Sequence, residues 1–405
     1  MAADIVGSHS APAHLPLPRV THLAWRLAPL ADSRRIDAAL RFFGARALLL
    51  GGGASRLDAL GLPQDVAAET LRRVRALDDW DVAWTWAAQR FLGESRIFAR
   101  SGNADAAALQ QRHAALAYHL AAALVFDNTR TIRTLRASAS TLFARAMHQL
   151  RPVVQRREIR WRASILPAYL ALPTNAPAPA PLVVLLNGTS TSKEETLLWG
   201  DPFLERGLAV LALDWPGSGE SALSVAPTAE CEDFTDGIFE LAETEPGLDA
   251  RRIALLGFSL GGAIAARAAA GDRRIAAIVA ITPPYDARAW FSGAQPLLKR
   301  HLATLAGGQD RAARLAAAFA LPEVLPRCRC PILVLGGGRD VVVPPHEAMR
   351  FCAAAGDRGT LLWYPEGSHG LYEYLPEWTA EAALWLQERF SVDLPSTQVD
   401  DRVHV

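Results

Sequence analysis

The stretch from Arg252 to Arg267 constrains this chain more than any other. Arg252-Ile-Ala-Leu-Leu256 reads as a short apolar strand, Gly257-Phe258-Ser259-Leu260-Gly261 as a tight turn, and Gly262-Ala-Ile-Ala-Ala-Arg267 as the start of an alanine-rich helix. A serine on such a strand-to-helix turn is held strained and exposed, with its hydroxyl clear of the backbone. The flanking glycines suit a place where strand and helix backbones come close and a β-carbon would clash. Gly-x-Ser-x-Gly alone is a common pattern. Its setting between strand and helix is what points to a nucleophile.

A serine hydroxyl needs a base to remove its proton and a carboxylate to orient that base. Downstream, the apolar run Pro331–Leu335 ends in Gly336-Gly-Gly-Arg-Asp340, and the strand-like Thr360–Tyr364 ends in Pro365-Glu-Gly-Ser-His369-Gly370. Both Asp340 and His369 follow the C-terminal ends of expected strands, where open parallel sheets place their sites. Ser259, Asp340 and His369 are therefore the candidate catalytic residues. Two rival readings stay open: Asp340 caps the turn before Val341, or Asp286, after the strand Ile275–Ile281 and next to Tyr285, is the acid instead. The other nine histidines lack a glycine-flanked position at a strand end and read as surface or helix residues.

Attack by serine puts negative charge on the substrate oxygen, which two backbone N–H groups normally receive. Leu260, after the nucleophile, is one candidate donor. The other lies in the loop after the strand Leu182–Leu186, where Asn187-Gly188-Thr189-Ser190-Thr191-Ser192-Lys193-Glu194-Glu195 offers Thr189 first and Gly188 second. Ser190 and Tyr285 are candidates for substrate proximity, as is Asp286. Gly188-x4-Lys193 resembles part of a phosphate loop, but the second glycine and the Ser/Thr after the lysine are missing, so nucleotide binding is not expected.

Composition narrows the classes. The chain has 405 residues, half of them apolar, and 42 basic against 42 acidic residues. It can bury a large core, and nothing in the balance of charge favours nucleic acid or an anionic membrane. Lysine occurs only at 193 and 299; nearly all basic residues are arginine. Cys231, Cys328, Cys330 and Cys352 form no zinc pattern, and Cys328-x-Cys330 is too tight for an ordinary disulfide loop. They read as buried thiols in a reducing compartment. With no leader-like start and no apolar stretch of 18 residues, a cytoplasmic location is expected.

The first 150 residues show no convincing strand. Trp80, Trp84, Ala87 and Phe91 share one face of a helix starting near Asp78. Asn103 suits the cap of a second helix from Ala104 to about Phe126, striped by Leu109, His113, Leu116, Leu120 and Leu124, with His113 reading as core. A third helix spans about 131–150. The period changes near 155: a hairpin over 158–172 precedes strands at 182–187, 208–213, 252–257, 275–281, 331–336 and 360–364, with helices between. The expected fold is α/β, a mostly parallel sheet with helices on both faces. Its domains are an all-helical N-terminal region (1–150, with 1–15 mobile), a catalytic domain (151–393) and a polar tail (394–405). Residues 287–327 read as amphipathic helices that contribute to a cap.

These features together resemble the α/β-hydrolase family that includes 2,6-dihydroxypseudooxynicotine hydrolase, the fungal polyketide-shortening pigment hydrolases and the fermentation/respiration switch proteins. The resemblance covers about residues 75–390. It rests on Trp80-x3-Trp84, Gly188-x4-Lys193-Glu194-Glu195, Asp214-x-Pro-Gly-x-Gly-Glu-Ser221, the Ser259 turn and the Asp340 and His369 loops. It implies an α/β-hydrolase fold with a helical lid, a Ser–Asp–His triad, no metal or organic cofactor, and a homodimer. The expected function is hydrolysis of an ester or thioester of a small, aromatic or polyketide-like metabolite. Alternatives are carbon–carbon cleavage of a β-diketone, acyl transfer, or a regulatory protein retaining the fold. Carbon–carbon cleavage of the kind the nicotine-degrading member implies calls for an assisting carboxylate by the oxyanion loop. This chain has Ser190 there, which favours ester or thioester chemistry.

Overall fold

The computed structural model describes residues 4–6, 36–38, 40–41, 44–45 and 53–392, apart from 127, 152, 153, 175–177 and 295. The expected polar tail lies outside the described residues, as does most of the 1–15 segment.

Among the described residues, nine strands form one sheet: β1 (Asp4–Val6), β2 (Val154–Trp161), β3 (Ser164–Ala171), β4 (Ala180–Leu186), β5 (Ala209–Leu213), β6 (Leu248–Phe258), β7 (Ile275–Ile281), β8 (Ile332–Gly337) and β9 (Gly359–Tyr364). Their order is β1-β9-β8-β7-β6-β4-β5-β3-β2. Pairing from β5 through β4, β6, β7 and β8 to β9 is parallel, while the β2–β3 hairpin joins β5 antiparallel. Continuous runs such as Val183-Val-Leu-Leu186 belong here because a parallel strand is covered on both faces, and every residue of β4 is buried. Alternation still operates: Val183 and Leu185 join one core, Leu182, Val184 and Leu186 the other.

One expectation is corrected. The first 150 residues do contain a strand, β1, which pairs antiparallel with β9, Ile5 opposite Leu362. Three residues are too few to show a period of two, and what recruits them is the open edge of β9, which their own sequence does not display.

The helical region is α1 (Gly53–Ala59), α2 (Gln64–Arg73), α3 (Trp80–Arg100), α4 (Ala104–Ala123) and α5 (Thr129–Leu150). Asn103 caps α4, its Oδ1 accepting the Ala106 N–H at 3.1 Å, and Asn128 caps α5 the same way through Thr131. Trp80, Trp84, Ala87 and Phe91 are all buried, and Trp80 Nε1 donates to the Leu120 carbonyl at 2.7 Å, pinning α3 to α4. Burying a side chain of that size contributes about 2–3 kcal/mol. His113 is packed 5.2 Å from the Phe91 ring, and burial beside Arg112 lowers its pKa to about 4. The stripe predicted on α4 understates its burial: residues 113–123 are buried on every side. These helices share one core with the Val183–Leu185 face of the sheet; Phe143 of α5 lies 5.4 Å from Tyr169 of β3.

Beyond β4 come α6 (Lys193–Thr196), α7 (Leu260–Gly271), α8 (Ala287–Gly293), α9 (Pro296–Ala306) and α10 (Gln309–Ala318). The last three are the helices expected over 287–327. Among the described residues, no helix is long and apolar enough to cross a membrane.

Candidate active site

Strand order sets the place of the site. The chain runs from β4 to β5 on one side and returns to β6 on the other, so the loops after β4 and β6 open side by side at a switch point. Leu186, the last residue of β4, is in register with Gly257, two residues before Ser259.

Ser259 has φ 53° and ψ −120°, a conformation that costs a non-glycine residue on the order of 1–3 kcal/mol. Its N–H donates to Ile281 O at 2.8 Å and its carbonyl accepts the Gly262 N–H at 2.9 Å, so backbone bonds hold the strain in place. A β-carbon on Gly261 would meet the Leu186 and Asn187 carbonyls, and one on Gly257 would meet Gly261. The glycines therefore allow β6, α7 and the β4 loop to converge, as the sequence suggested. The Ser259 hydroxyl has no hydrogen-bond partner among the described residues.

His369 Nδ1 pairs with Asp340 Oδ2 at 2.8 Å. The other oxygen of Asp340 accepts the N–H groups of Val342 and Val343, both at 2.8 Å. The carboxylate thus caps its own turn and holds the imidazole at once, one oxygen for each. Asp286 is engaged elsewhere: it caps α8 through the Ala289 N–H, while its own N–H and that of Tyr285 are bound by Glu347. The His369 ring lies 5.4 Å from that of Phe258, next to Ser259 in the chain.

The candidate donors differ in availability. Gly188 N–H is already taken by the Thr191 hydroxyl at 2.7 Å, which removes it as a donor in this arrangement. Thr189 N–H and Leu260 N–H have no partner among the described residues. Thr189 is 8 % exposed, and its hydroxyl is also without a partner among the described residues. His301 Nε2 donates to the Thr189 carbonyl at 3.0 Å, fixing this residue from α9. Burial, with Arg136 nearby, lowers the His301 pKa to about 4, so the ring is neutral at neutral pH.

Two buried charge clusters hold the loop after β4. Lys193, wholly buried, donates to Glu194 Oε1 at 2.6 Å, Glu220 Oε2 at 2.7 Å and Asp214 Oδ2 at 3.1 Å. Burial alone would lower its pKa; the three carboxylates outweigh that and hold it well above the ordinary lysine value. The phosphate-loop fragment is thus a structural anchor. Burial would raise Glu220, but Arg156 and Lys193 bring it down to about 2.

The second cluster joins the helical region to the loop. Arg56 of α1 donates to both oxygens of Glu195, at 2.9 and 2.6 Å, and to the Ser190 carbonyl at 2.9 Å. Tyr372, three residues past His369, donates to Glu195 at 2.8 Å. His119 of α4 bridges Glu195 at 3.0 Å and the Ser192 hydroxyl at 3.1 Å. Sequence reading missed Arg56, His119 and His301 as neighbours of the site. Each sits inside an ordinary helical pattern, and only the packing of helices on the sheet brings it to the loop.

Ser190 lines a small cavity of about 20 Å³ with His119, His301 and Arg136. Thr189 and Leu260 line a smaller, apolar one of about 10 Å³ with Trp215, Leu302 and Leu305.

The fold recurs in proteins of known structure. The chain aligns with the structure of 2,6-dihydroxy-pseudo-oxynicotine hydrolase at a TM-score of 0.72 and 25% identity, covering 84% of this chain and 96% of that one. The chain has the α/β-hydrolase fold. The sequence is 29% identical over 232 residues to 2,6-dihydropseudooxynicotine hydrolase of Paenarthrobacter nicotinovorans, covering 56% of this chain and 62% of that protein. It is 33% identical over 115 residues to thiohydrolase aneE of Aspergillus aculeatus, 27% of this chain and 36% of that protein. The chain thus spans less than two thirds of the length of these curated relatives. A model of the prolyl oligopeptidase family matches residues 198–393, which take in β5 to β9 with Ser259, Asp340 and His369 and leave the helical region outside.

Proposed function

We propose that this chain is a serine hydrolase that cleaves the ester or thioester bond of a small, aromatic or polyketide-like metabolite. The observation that carries the reading is Ser259: a strained serine at the switch point of the sheet, its hydroxyl unpartnered among the described residues and followed directly by Leu260, whose N–H, like that of Thr189, has no partner there. Ser259 Oγ attacks the acyl carbon as His369 Nε2 takes its proton. Asp340 keeps the imidazole in the tautomer with hydrogen on Nδ1 and stabilises the imidazolium. Thr189 and Leu260 N–H groups receive the oxyanion. His369 then protonates the departing alcohol or thiol, and water releases the acid from the acyl-enzyme. The helical region acts as the lid, since α1, α4 and α5 bring Arg56, His119 and Arg136 to the oxyanion loop. The similarity to a thiohydrolase supports the thioester branch.

The test is labelling with a fluorophosphonate, followed by rates on matched ester, thioester and β-diketone substrates. Labelling of wild type and none of Ser259→Ala is expected, with the diketone slowest. A protein that folds but takes no label is a binder with this fold. A preference for the diketone moves the reading to carbon–carbon cleavage.

A further inference from the structure

An outer cavity of about 320 Å³ opens beside the two already described. It shares Arg136 with the cavity lined by Ser190 and Leu305 with the apolar one that touches Thr189 and Leu260. Its charged lining is Arg133, Arg136 and Arg311; among the described residues no carboxylate lines it. The rest is mixed, with Ile132, Leu223 and Leu305 beside Thr129, Ser224 and Thr304.

Arg136 is the informative residue. It projects from α5 and donates through NH1 to the Gly219 carbonyl, its one hydrogen bond among the described residues. Burial lowers its pKa, with Asp214 and Glu194 pulling weakly the other way. Those carboxylates, like Glu220, are held by Lys193, and Glu220 by Arg156 as well. A guanidinium with five N–H donors, most of them unspent, stands where the cavities meet. A part-buried cation in that state is stabilised by an anion that brings its own acceptors. Arg133 and Arg311, both exposed and without ion-pair partners among the described residues, add to the field at the entrance.

We infer that the substrate is an acyl compound bearing a carboxylate at the end away from the scissile bond, and that Arg136, backed by Arg133 and Arg311, receives it. The scissile carbonyl meets Thr189 and Leu260, the connecting apolar segment passes Leu305, and the carboxylate stops at the arginines. This deepens the proposed hydrolysis and rests on it.

The experiment compares two 4-nitrophenyl esters of one dicarboxylic acid, the second carboxyl free in one and methyl-capped in the other. The free carboxylate should raise kcat/KM about 10- to 100-fold, the range of one or two charge-assisted hydrogen bonds. The ratio should shrink as salt rises and fall toward one in Arg136→Gln and Arg311→Ala. Arg311 is exposed, so its variant keeps the test alive if Arg136→Gln fails to fold. Equal rates in wild type, or a preference that survives both substitutions, overturns the inference. A matched phosphate ester preferred over the carboxylate overturns the choice of anion. Fluorophosphonate labelling separates the two levels: a labelled enzyme with no preference loses only this inference, whereas an unlabelled one loses the hydrolase reading itself.

Discussion

The sheet and the helical region contribute to the same site in different currencies. From the sheet come the groups to which the proposal gives a chemical task, Ser259, Asp340, His369 and the two N–H groups without a partner among the described residues, each just past the end of a strand. From the helices come Arg56 and His119, which bond to the loop after β4, and Arg136, which lines a cavity with His119 and Ser190. The first set sits on backbone that the sheet fixes through parallel pairing. The second set reaches the site by packing, through side chains that must all find partners. The scaffold for chemistry is therefore local and rigid, and the wall around it is assembled from distant parts of the chain.

The sharpest way to break this contrast is to substitute within the sheet-borne set. Ser259→Ala should lower kcat by about 10³–10⁶ with the fold intact, as for loss of a nucleophile from a triad. Asp340→Asn should be severely impaired too, and Asp286→Asn close to wild type, because Asp286 is a helix cap away from His369. Steady-state kinetics on one activated ester reads all three. If Asp286→Asn is the more damaging, the acid belongs to β7 and not β8.

Substitution in the helical set should fall on stability first. Arg56→Ala leaves Glu195 buried with its main cation gone, a loss of about 3–5 kcal/mol. Denaturant unfolding measures it, and Arg56→Lys should recover part. An unchanged midpoint would mean that the helical region is not braced through Glu195.

The smallest effect is on the acid limb of stability. Burial alone would raise Glu195, but Arg56 and His119 bring its pKa down from 4.5 to about 2. A carboxyl whose folded pKa is depressed contributes stability that is complete above about pH 4.5 and is lost as pH falls toward about 2. Glu195→Gln should therefore flatten the fall in stability across that window. A curve parallel to wild type would show that the carboxylate is not held as the geometry implies.

The sheet-borne half was legible because its signals are short and local. Ser259 stands in a five-residue turn, and Asp340 and His369 each close an apolar run. That the Thr191 hydroxyl consumes the Gly188 N–H, which leaves Thr189 as the available donor of the two, is something the sequence does not display. β1 escaped because three residues carry no period. His119 and His301 look like any helical histidines until helix and loop are set against each other. Lys193 bonds the adjacent Glu194 and, across the fold, Asp214 and Glu220 of the loop after β5, and nothing in Gly188-x4-Lys193 announces the latter two.

The near-absence of lysine has a practical use. Lys193 is sealed inside its cluster, which leaves Lys299 as the one other lysine. It sits on α9, two residues before His301, with Nζ on the Ser292 carbonyl at 2.7 Å. Apart from the α-amino group, an amine-reactive dye would therefore mark a single side chain, on the helix that pins Thr189. Its fluorescence offers a direct optical gauge of whether that wall shifts when a substrate enters, with no residue changed to install it.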